Sequence, residues 1–171
     1  VFNSIITKIK ESKEEQKEYL KRFSDTLKND INKENFEYEI KGRFKSIFSI
    51  RRKMRNQNVT FDEVFDKYAI RIIFKPVSED EKHDAWKIYS IVTDNFRPNP
   101  ARLRDWISQP KSTGYEALHI TVVGPDAQWV EVQIRSERMN EIAEKGYAAH
   151  FKYKQGESSE SGLEGWLNKL K

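Results

Sequence analysis

The chain has no cysteine, only seven glycines and five prolines in 171 residues, and three histidines far apart in sequence. Without cysteine there are no disulfides and no thiolate metal sites, and a cytoplasmic home is the expectation. The scattered histidines lack zinc-ligand spacing. His83-Asp84 is an H-D pair, but it stands in a charged helical stretch and reads as surface. No apolar run approaches the length of a membrane span, and no signal-peptide pattern opens the chain. The first residue is Val rather than Met, as expected for a domain cut from a longer protein.

What is present is charge, and it is uneven. Hydrophobic residues make up 37% and charged residues 34%, enough for one core under a heavily charged surface. The net charge is +4, yet residues 41–55 alone carry seven Lys and Arg and no acid, leaving −3 for the rest. A focused patch of this kind steers anions such as phosphates; a solvated basic helix face is the plainer reading.

Periodicity gives the organisation. Residues 3–30 read as a charged helix with Ile5, Ile9, Leu20, Phe23 and Leu27 as its apolar stripe, broken by Asn29-Asp30 and Asn32-Lys33. An extended piece from Phe36 to Ile40 ends at Gly42, which would leave backbone N–H groups free for an anion ahead of a helix from Phe44 to Asn56. In that helix Lys45, Ser49 and Lys53 share a polar stripe, opposite Phe44, Ile47, Phe48 and Met54. Thr60 and Glu63 resemble a capping box. Residues 66–74 predict a central strand, 80–95 a helix, and Arg97 to Gly114 a basic, proline-containing loop.

Leu118–Val123 and Trp129–Arg135 predict a hairpin around Gly124-Pro125-Asp126. Facing Val123 with Trp129 puts His119, Thr121, Glu131, Gln133 and Arg135 on one face and Ile120, Val122, Val130, Val132 and Ile134 on the other. The polar face is either solvent-facing sheet or the floor of a site. Ser136 caps a further helix expected to reach Lys154, with Gly146 in tight contact with the sheet. Residues 155–162 read as a linker and 163–171 as a short terminal piece.

Phosphoryl transfer needs cations on the phosphates, a carboxylate-held metal, and a group that orients or deprotonates the attacking hydroxyl. Asp66 and Glu131 are the carboxylate candidates; Mg²⁺ needs only one or two, the rest coming from substrate and water. Asp66 reads equally as a turn residue and His119 as a hydrogen-bonding sheet residue, and Tyr115 after Lys111-Ser112-Thr113-Gly114 offers a face for a base or for packing.

The order of these pieces resembles the RelA/SpoT family of (p)ppGpp synthetases. G-R-F-K-S-I-F-S-I-R-R-K-M at 42–54 is similar to that family's ATP-binding segment and F-D-K-Y-A-I-R at 65–71 to its metal-binding strand. R-L-R-D at 102–105 is similar to its R-x-K-D motif and P-K-S-T-G-Y-E-A-L-H at 110–119 to its guanosine loop, followed by V-E-V-Q-I-R and G-Y-A-A-H. The resemblance implies an α+β fold, a mixed β-sheet flanked by helices, of nucleotidyltransferase type. It implies Mg²⁺-dependent transfer of pyrophosphate from ATP to the 3′-hydroxyl of GDP or GTP, the reaction of the stringent response.

By resemblance, Arg43, Lys45, Ser49 and Lys53 hold ATP, Asp66 binds the metal, and Glu131 activates the 3′-hydroxyl, helps bind the metal, or both. Tyr115 stacks on guanine, Lys111 and His119 touch the guanosine nucleotide, and the loop with Arg102 and Arg104 selects the acceptor, its basic character favouring GDP. Arg104 replaces the motif Lys, Thr113 the usual Asn, and Glu116-Ala117 the common Gln-Ser. The implied division is residues 1–35 as an N-terminal helical segment, 36–154 as the catalytic domain, and 155–171 as linker and terminal piece. Ribosome contact is expected only through domains beyond this stretch, and neither a membrane nor nucleic acid is expected as a partner. A basic nucleic-acid-binding module and a catalytically silent regulatory relative are the competing readings.

Overall fold

The structure is a computed structural model that describes residues 2–60, 63, 65 and 68–146, with side chains from residue 13 onward except those of 44 and 47. Its order is α1 (Phe2–Lys33), β1 (Tyr38–Phe44), α2 (Ile47–Gln57), β2 (Tyr68–Phe74), α3 (Glu81–Asn95), β3 (Arg97–Asp105), β4 (Leu118–Val123), β5 (Trp129–Ser136) and α4 (Glu137–Lys145). The strands form one mixed sheet in the order β1-β2-β5-β4-β3. Only the central β2–β5 pair is parallel; β1–β2, β3–β4 and β4–β5 are antiparallel.

One face of the sheet is the floor of the core. Ile70, Ile72 and Phe74 of β2, Val130, Val132 and Ile134 of β5, and Leu118, Ile120 and Val122 of β4 are fully buried. α1 and α3 cover them. Complete burial of each such side chain contributes about 1.5–3 kcal/mol. Phe23, Leu27 and Ile31 fall four apart along α1, and Phe23 stacks on Phe96 with ring centroids 4.5 Å apart. Ile31 explains why the helix runs past Asn29-Asp30, where the sequence predicts a break: a further core contact outweighs two weak helix formers. Ile5 and Ile9 lie where side chains are not described.

At the far end of α1's contact, Tyr19 stacks on Tyr68 at 4.9 Å, and its hydroxyl donates to the Pro125 carbonyl at 2.9 Å. Gly124 fits beneath it only because it lacks a side chain. A Cβ there would stand 2.7 Å from Tyr19 Oη and 2.8 Å from Val130 Cγ2.

Several local expectations are corrected. Strand β1 continues through Gly42, which pairs with Ile70, so Gly42 does not open a helix. α2 starts at Ile47, capped by Ser46, whose side chain accepts from the Ser49 N–H at 3.2 Å. Ile50 is the buried residue of α2, Met54 is half-buried, and Phe48 is 75% exposed rather than packed inward. Residues 97–105 form an edge strand, not a loop; Pro98 and Pro100 are accommodated there because an edge strand can leave N–H positions unpaired. A register shift between Asn99 and Arg104 bulges it.

α4 ends at Lys145, with Gly146 as its cap at φ 76°, and the Gly146 N–H bonds the Ile142 carbonyl at 2.8 Å. The glycine is there for that positive φ; a Cβ would meet nothing within 4 Å, so no tight sheet contact requires it. The expected continuation to Lys154, the G-Y-A-A-H motif, the linker and the terminal piece lie outside the described residues. His83 is exposed as expected, but Asp84 is buried. Its carboxylate accepts from the Val77 and Ser78 N–H groups at 2.9 and 3.0 Å and from the Ser78 hydroxyl at 2.9 Å, pinning the turn after β2.

Candidate active site

The opposite face of the sheet is polar, and strand register places its side chains in rows. Arg43, Ala69, Glu131, Thr121 and Asn99 pair successively across all five strands. Neighbouring strands lie about 4.8 Å apart, so Arg43 and Glu131 are separated by about 10 Å with only the small Ala69 between them. The next row holds Lys41, Arg71, Gln133, His119 and Arg104. α4 closes the far end of this face, where Arg71 reaches Asn140 at 3.4 Å and Glu144 at 3.5 Å. The hairpin register is the one the sequence predicts, and the face is a floor: Thr121 and Arg135 are only 2% exposed.

At the β1 end, a cavity of about 580 Å³ is lined by Arg43, Lys45, Ser46, Ser49, Arg52 and Lys53, with Asn56 and Gln57 behind. All four residues assigned to ATP are brought together here. The cavity runs along α2 from its N-cap to Gln57, and at the N-terminal end Ser46 and Ser49 share a hydroxyl–hydroxyl hydrogen bond of 2.9 Å. A helix N-terminus with cations beside it suits phosphate. The sequence reading missed Ser46 and Arg52; Ser46 was legible as an N-cap only once β1 was seen to run past Gly42.

At the β4 end, Glu131 is half-buried. Its Oε1 stands 3.3 Å from His119 Nδ1 and accepts from Gln133 Nε2 at 3.4 Å. His119 Nε2 is 2.7 Å from the Tyr115 hydroxyl, which also receives Arg135 Nη2 at 2.9 Å. Tyr115 comes off a turn in which the Gly114 N–H bonds the Lys111 carbonyl at 2.8 Å. Lys111 Nζ lies 4.7 Å from the Trp106 ring centre and 5.2 Å from that of Tyr115. Burial pushes the Tyr115 hydroxyl above its ordinary range, against the nearby charges of Arg135 and Arg71. It therefore stays protonated at neutral pH, able to donate as well as accept.

Arg102 and Arg104 differ. Arg102 lies over the Phe65 ring at 4.6 Å, and its Nε donates to Thr121 Oγ1 at 3.1 Å, so it is packed onto the floor. Phe65 in turn meets Trp129 at 5.2 Å. Arg104 is exposed and bonds the carbonyls of Ala101 and Leu103 at 3.1 and 2.8 Å. Glu116 is held by Arg138 at 2.8 Å, and the same guanidinium binds Glu81 at 2.7 Å. Asp66 lies outside the described residues. Among the described residues no group of three or more His, Cys, Asp or Glu could hold a metal, and no helix is long and apolar enough to cross a membrane.

Residues 42–158 match the region found in RelA/SpoT proteins. The chain belongs to the RelA/SpoT family. It is 35% identical over 175 residues to the GTP pyrophosphokinase of Escherichia coli K12, covering 99% of this chain and 23% of that protein. It is 34% identical over 172 residues to the GTP pyrophosphokinase of Myxococcus xanthus, covering 99% of this chain and 22% of that one. A guanosine-3′,5′-bis(diphosphate) 3′-pyrophosphohydrolase of Aquifex aeolicus is 37% identical over 164 residues, covering 95% and 23%. This RelA/SpoT chain thus spans under a quarter of the length of these relatives. Its fold is that of small alarmone synthetase 2 from Bacillus subtilis, with TM-score 0.61 at 21% identity over 90% of this chain and 86% of that one. The α+β architecture expected from the sequence, a mixed β-sheet flanked by helices, is therefore the observed one.

Proposed function

We propose that this chain is a (p)ppGpp synthetase unit, transferring pyrophosphate from ATP to the 3′-hydroxyl of GDP or GTP and releasing AMP. The observation that carries the reading is the row Arg43–Ala69–Glu131–Thr121, which joins a cationic cavity at one end of the polar face to a carboxylate and an aromatic at the other. Two nucleotides laid end to end along that row would meet above Ala69 and Glu131.

In this reading Arg43, Lys45, Ser49 and Lys53, with Ser46 and Arg52, hold the triphosphate of ATP. Lys111, Tyr115 and His119 seat the guanosine nucleotide, with base–aromatic stacking worth about 1–3 kcal/mol. Glu131 takes the proton of the 3′-hydroxyl, its Oε1 steadied by His119 and Gln133. A single half-buried carboxylate on the floor fits Mg²⁺, which takes one or two carboxylates and completes its shell with phosphates and water. Glu131 and Asp66, two residues ahead of β2 in sequence, would hold it. When bound it neutralises charge on the transferring phosphates. Residues 36–154 would form the catalytic unit, 1–35 a helical segment, and 155–171 a linker and terminal piece, working in the cytoplasm with ribosome contact left to other domains.

The hydrolytic name borne by one relative invites a second reading, with His83-Asp84 as an H-D metal pair. It fails on geometry, because the Asp84 carboxylate is occupied by the backbone of Val77 and Ser78. Incubation with labelled ATP, GDP or GTP and Mg²⁺, with products separated, tests the proposal. AMP with a 3′-pyrophosphorylated guanosine nucleotide is the expected result. Retention of nucleic acid without such product would favour the binding-module reading, and neither would favour a silent relative.

A further inference from the structure

Arg135 is the largest fully buried side chain among the described residues, and no ion pair with it is seen among them. Among the described residues its Nε has no hydrogen-bond partner, and burial pulls its pKa down from the ordinary arginine value. A guanidinium stays charged in proteins, so the fold carries a desolvated cation on its polar floor. Packing alone does not call for one: Glu131 and Glu144 act on it only from beyond ion-pair distance, a buried cation held so loosely is costly, and an apolar side chain would fill much of the space.

What Arg135 does is visible in its contacts. Its Nη2 donates to Gln133 Oε1, and Gln133 Nε2 donates to Glu131 Oε1 at 3.4 Å. The same Nη2 donates to Tyr115 Oη at 2.9 Å, Tyr115 Oη lies 2.7 Å from His119 Nε2, and His119 Nδ1 stands 3.3 Å from the same Glu131 Oε1. The five side chains close a ring, with both arms starting at one nitrogen of Arg135 and ending at one oxygen of Glu131. An arginine can only donate and a carboxylate can only accept, so the two ends of the ring are fixed.

We propose that Arg135 is a positioning residue that sets Glu131 and Tyr115 together: one buried donor fixes both the carboxylate that receives the hydroxyl proton and the aromatic that seats the acceptor base. The proposal rests on the synthetase reading of this face. Arg135 itself is too buried to touch a nucleotide, and it acts through Gln133, Tyr115 and His119. The ATP cavity, built on β1 and α2, shares no residue with the ring.

The test compares Arg135→Met, an unbranched apolar stem without a donor, with Arg135→Lys, which keeps a charged donor but fills the space less well than arginine. Loss of a group that orients catalytic side chains typically costs about 10–100-fold in activity, and that fall in kcat is expected for Arg135→Met. Arg135→Lys should recover most of it, and the KM for ATP should stay within about threefold in both. Met performing as well as Lys, or a loss confined to the ATP KM, overturns the proposal.

Tyr115→Phe and Gln133→Met each remove one arm and read it separately, even if Arg135→Met does not fold. In their double variant, adding Arg135→Met should cost less than about threefold more, because groups in one network do not act independently. A fully multiplicative further loss overturns the shared-donor role. A parent that makes no (p)ppGpp would refute the synthetase reading, and the ring is then judged by unfolding in urea. Coupling between Arg135→Met and Tyr115→Phe supports it, and additive stabilities overturn it.

Discussion

The two ends of the polar face are built differently. At the end proposed for the guanosine nucleotide, Glu131, Gln133 and Arg135 of β5, His119 of β4 and Tyr115 from the turn before it hold one another in a closed ring. At the end proposed for ATP, Arg43 is exposed, and Lys45, Ser49 and Lys53 are only half-buried beside α2. One end is organised before a ligand arrives. The other presents charge and helix N–H groups that a polyphosphate would order around itself. Catalysis benefits most from rigidity where the proton moves, and binding of a highly charged group is served by several cations gathered in one cavity.

The sharpest way to break this contrast is Glu131→Gln, which keeps the shape and the ring's hydrogen bonding but not the charge. Synthesis should fall by about 10²–10⁴-fold with the melting temperature held, because general-base catalysis needs the charge. An unchanged rate in the folded variant would remove Glu131 from its role. Asp66→Asn belongs to the same class and is measured in the same way.

Tyr115→Ala comes next. Stacking worth about 1–3 kcal/mol corresponds to roughly ten- to a hundredfold in affinity for GDP or GTP. Titration with ATP should move far less, since no ring residue lines the ATP cavity. Equal losses for both nucleotides would show that the two ends are not independent. At the other end, Lys45→Met and Lys53→Met should each raise the KM for ATP by about tenfold, the scale of one lost charge-assisted contact, and leave kcat near the parent value. Those effects should shrink as salt rises, whereas that of Glu131→Gln should not. A salt-independent loss would mean that the lysines serve the fold.

The smallest expected effect concerns acceptor choice. Arg102 is packed between Phe65 and Thr121, so reversing its charge would disturb the floor, and Arg104 alone is the cleaner probe. Arg104→Asp should shift the ratio of kcat/KM for GDP and GTP toward GTP by a few-fold, the size expected of an exposed charge. An unmoved ratio would take Arg104 out of acceptor selection.

Much of this was legible in the chain. The hairpin register followed from the period-2 alternation of 118–135, because a one-residue slip of β5 would have moved Val130, Val132 and Ile134 out of the core. Arg43, Lys45, Arg52 and Lys53 of the basic segment did converge on one cavity. What local pattern could not show was the tertiary competition: β1 running on through Gly42 to complete its pairing with β2, or Ile31 extending α1 over the core. The Arg97–Asp105 segment looked like a loop because its prolines were read without knowing that the strand lies at a sheet edge. Arg135 was placed on the right face, but its burial depended on Tyr115 folding over it from 20 residues away.

The order of the strands also bears on solubility. An open sheet has two borders, each a row of backbone groups on which a foreign strand could add. Here one border is β3, interrupted by Pro98, Pro100 and a bulge, and the other is β1, with Glu39, Lys41 and Arg43 alternating along it. Both are poor templates for aggregation. The polar face proposed for nucleotides can therefore stay available without the sheet inviting its own copies to stack edge to edge.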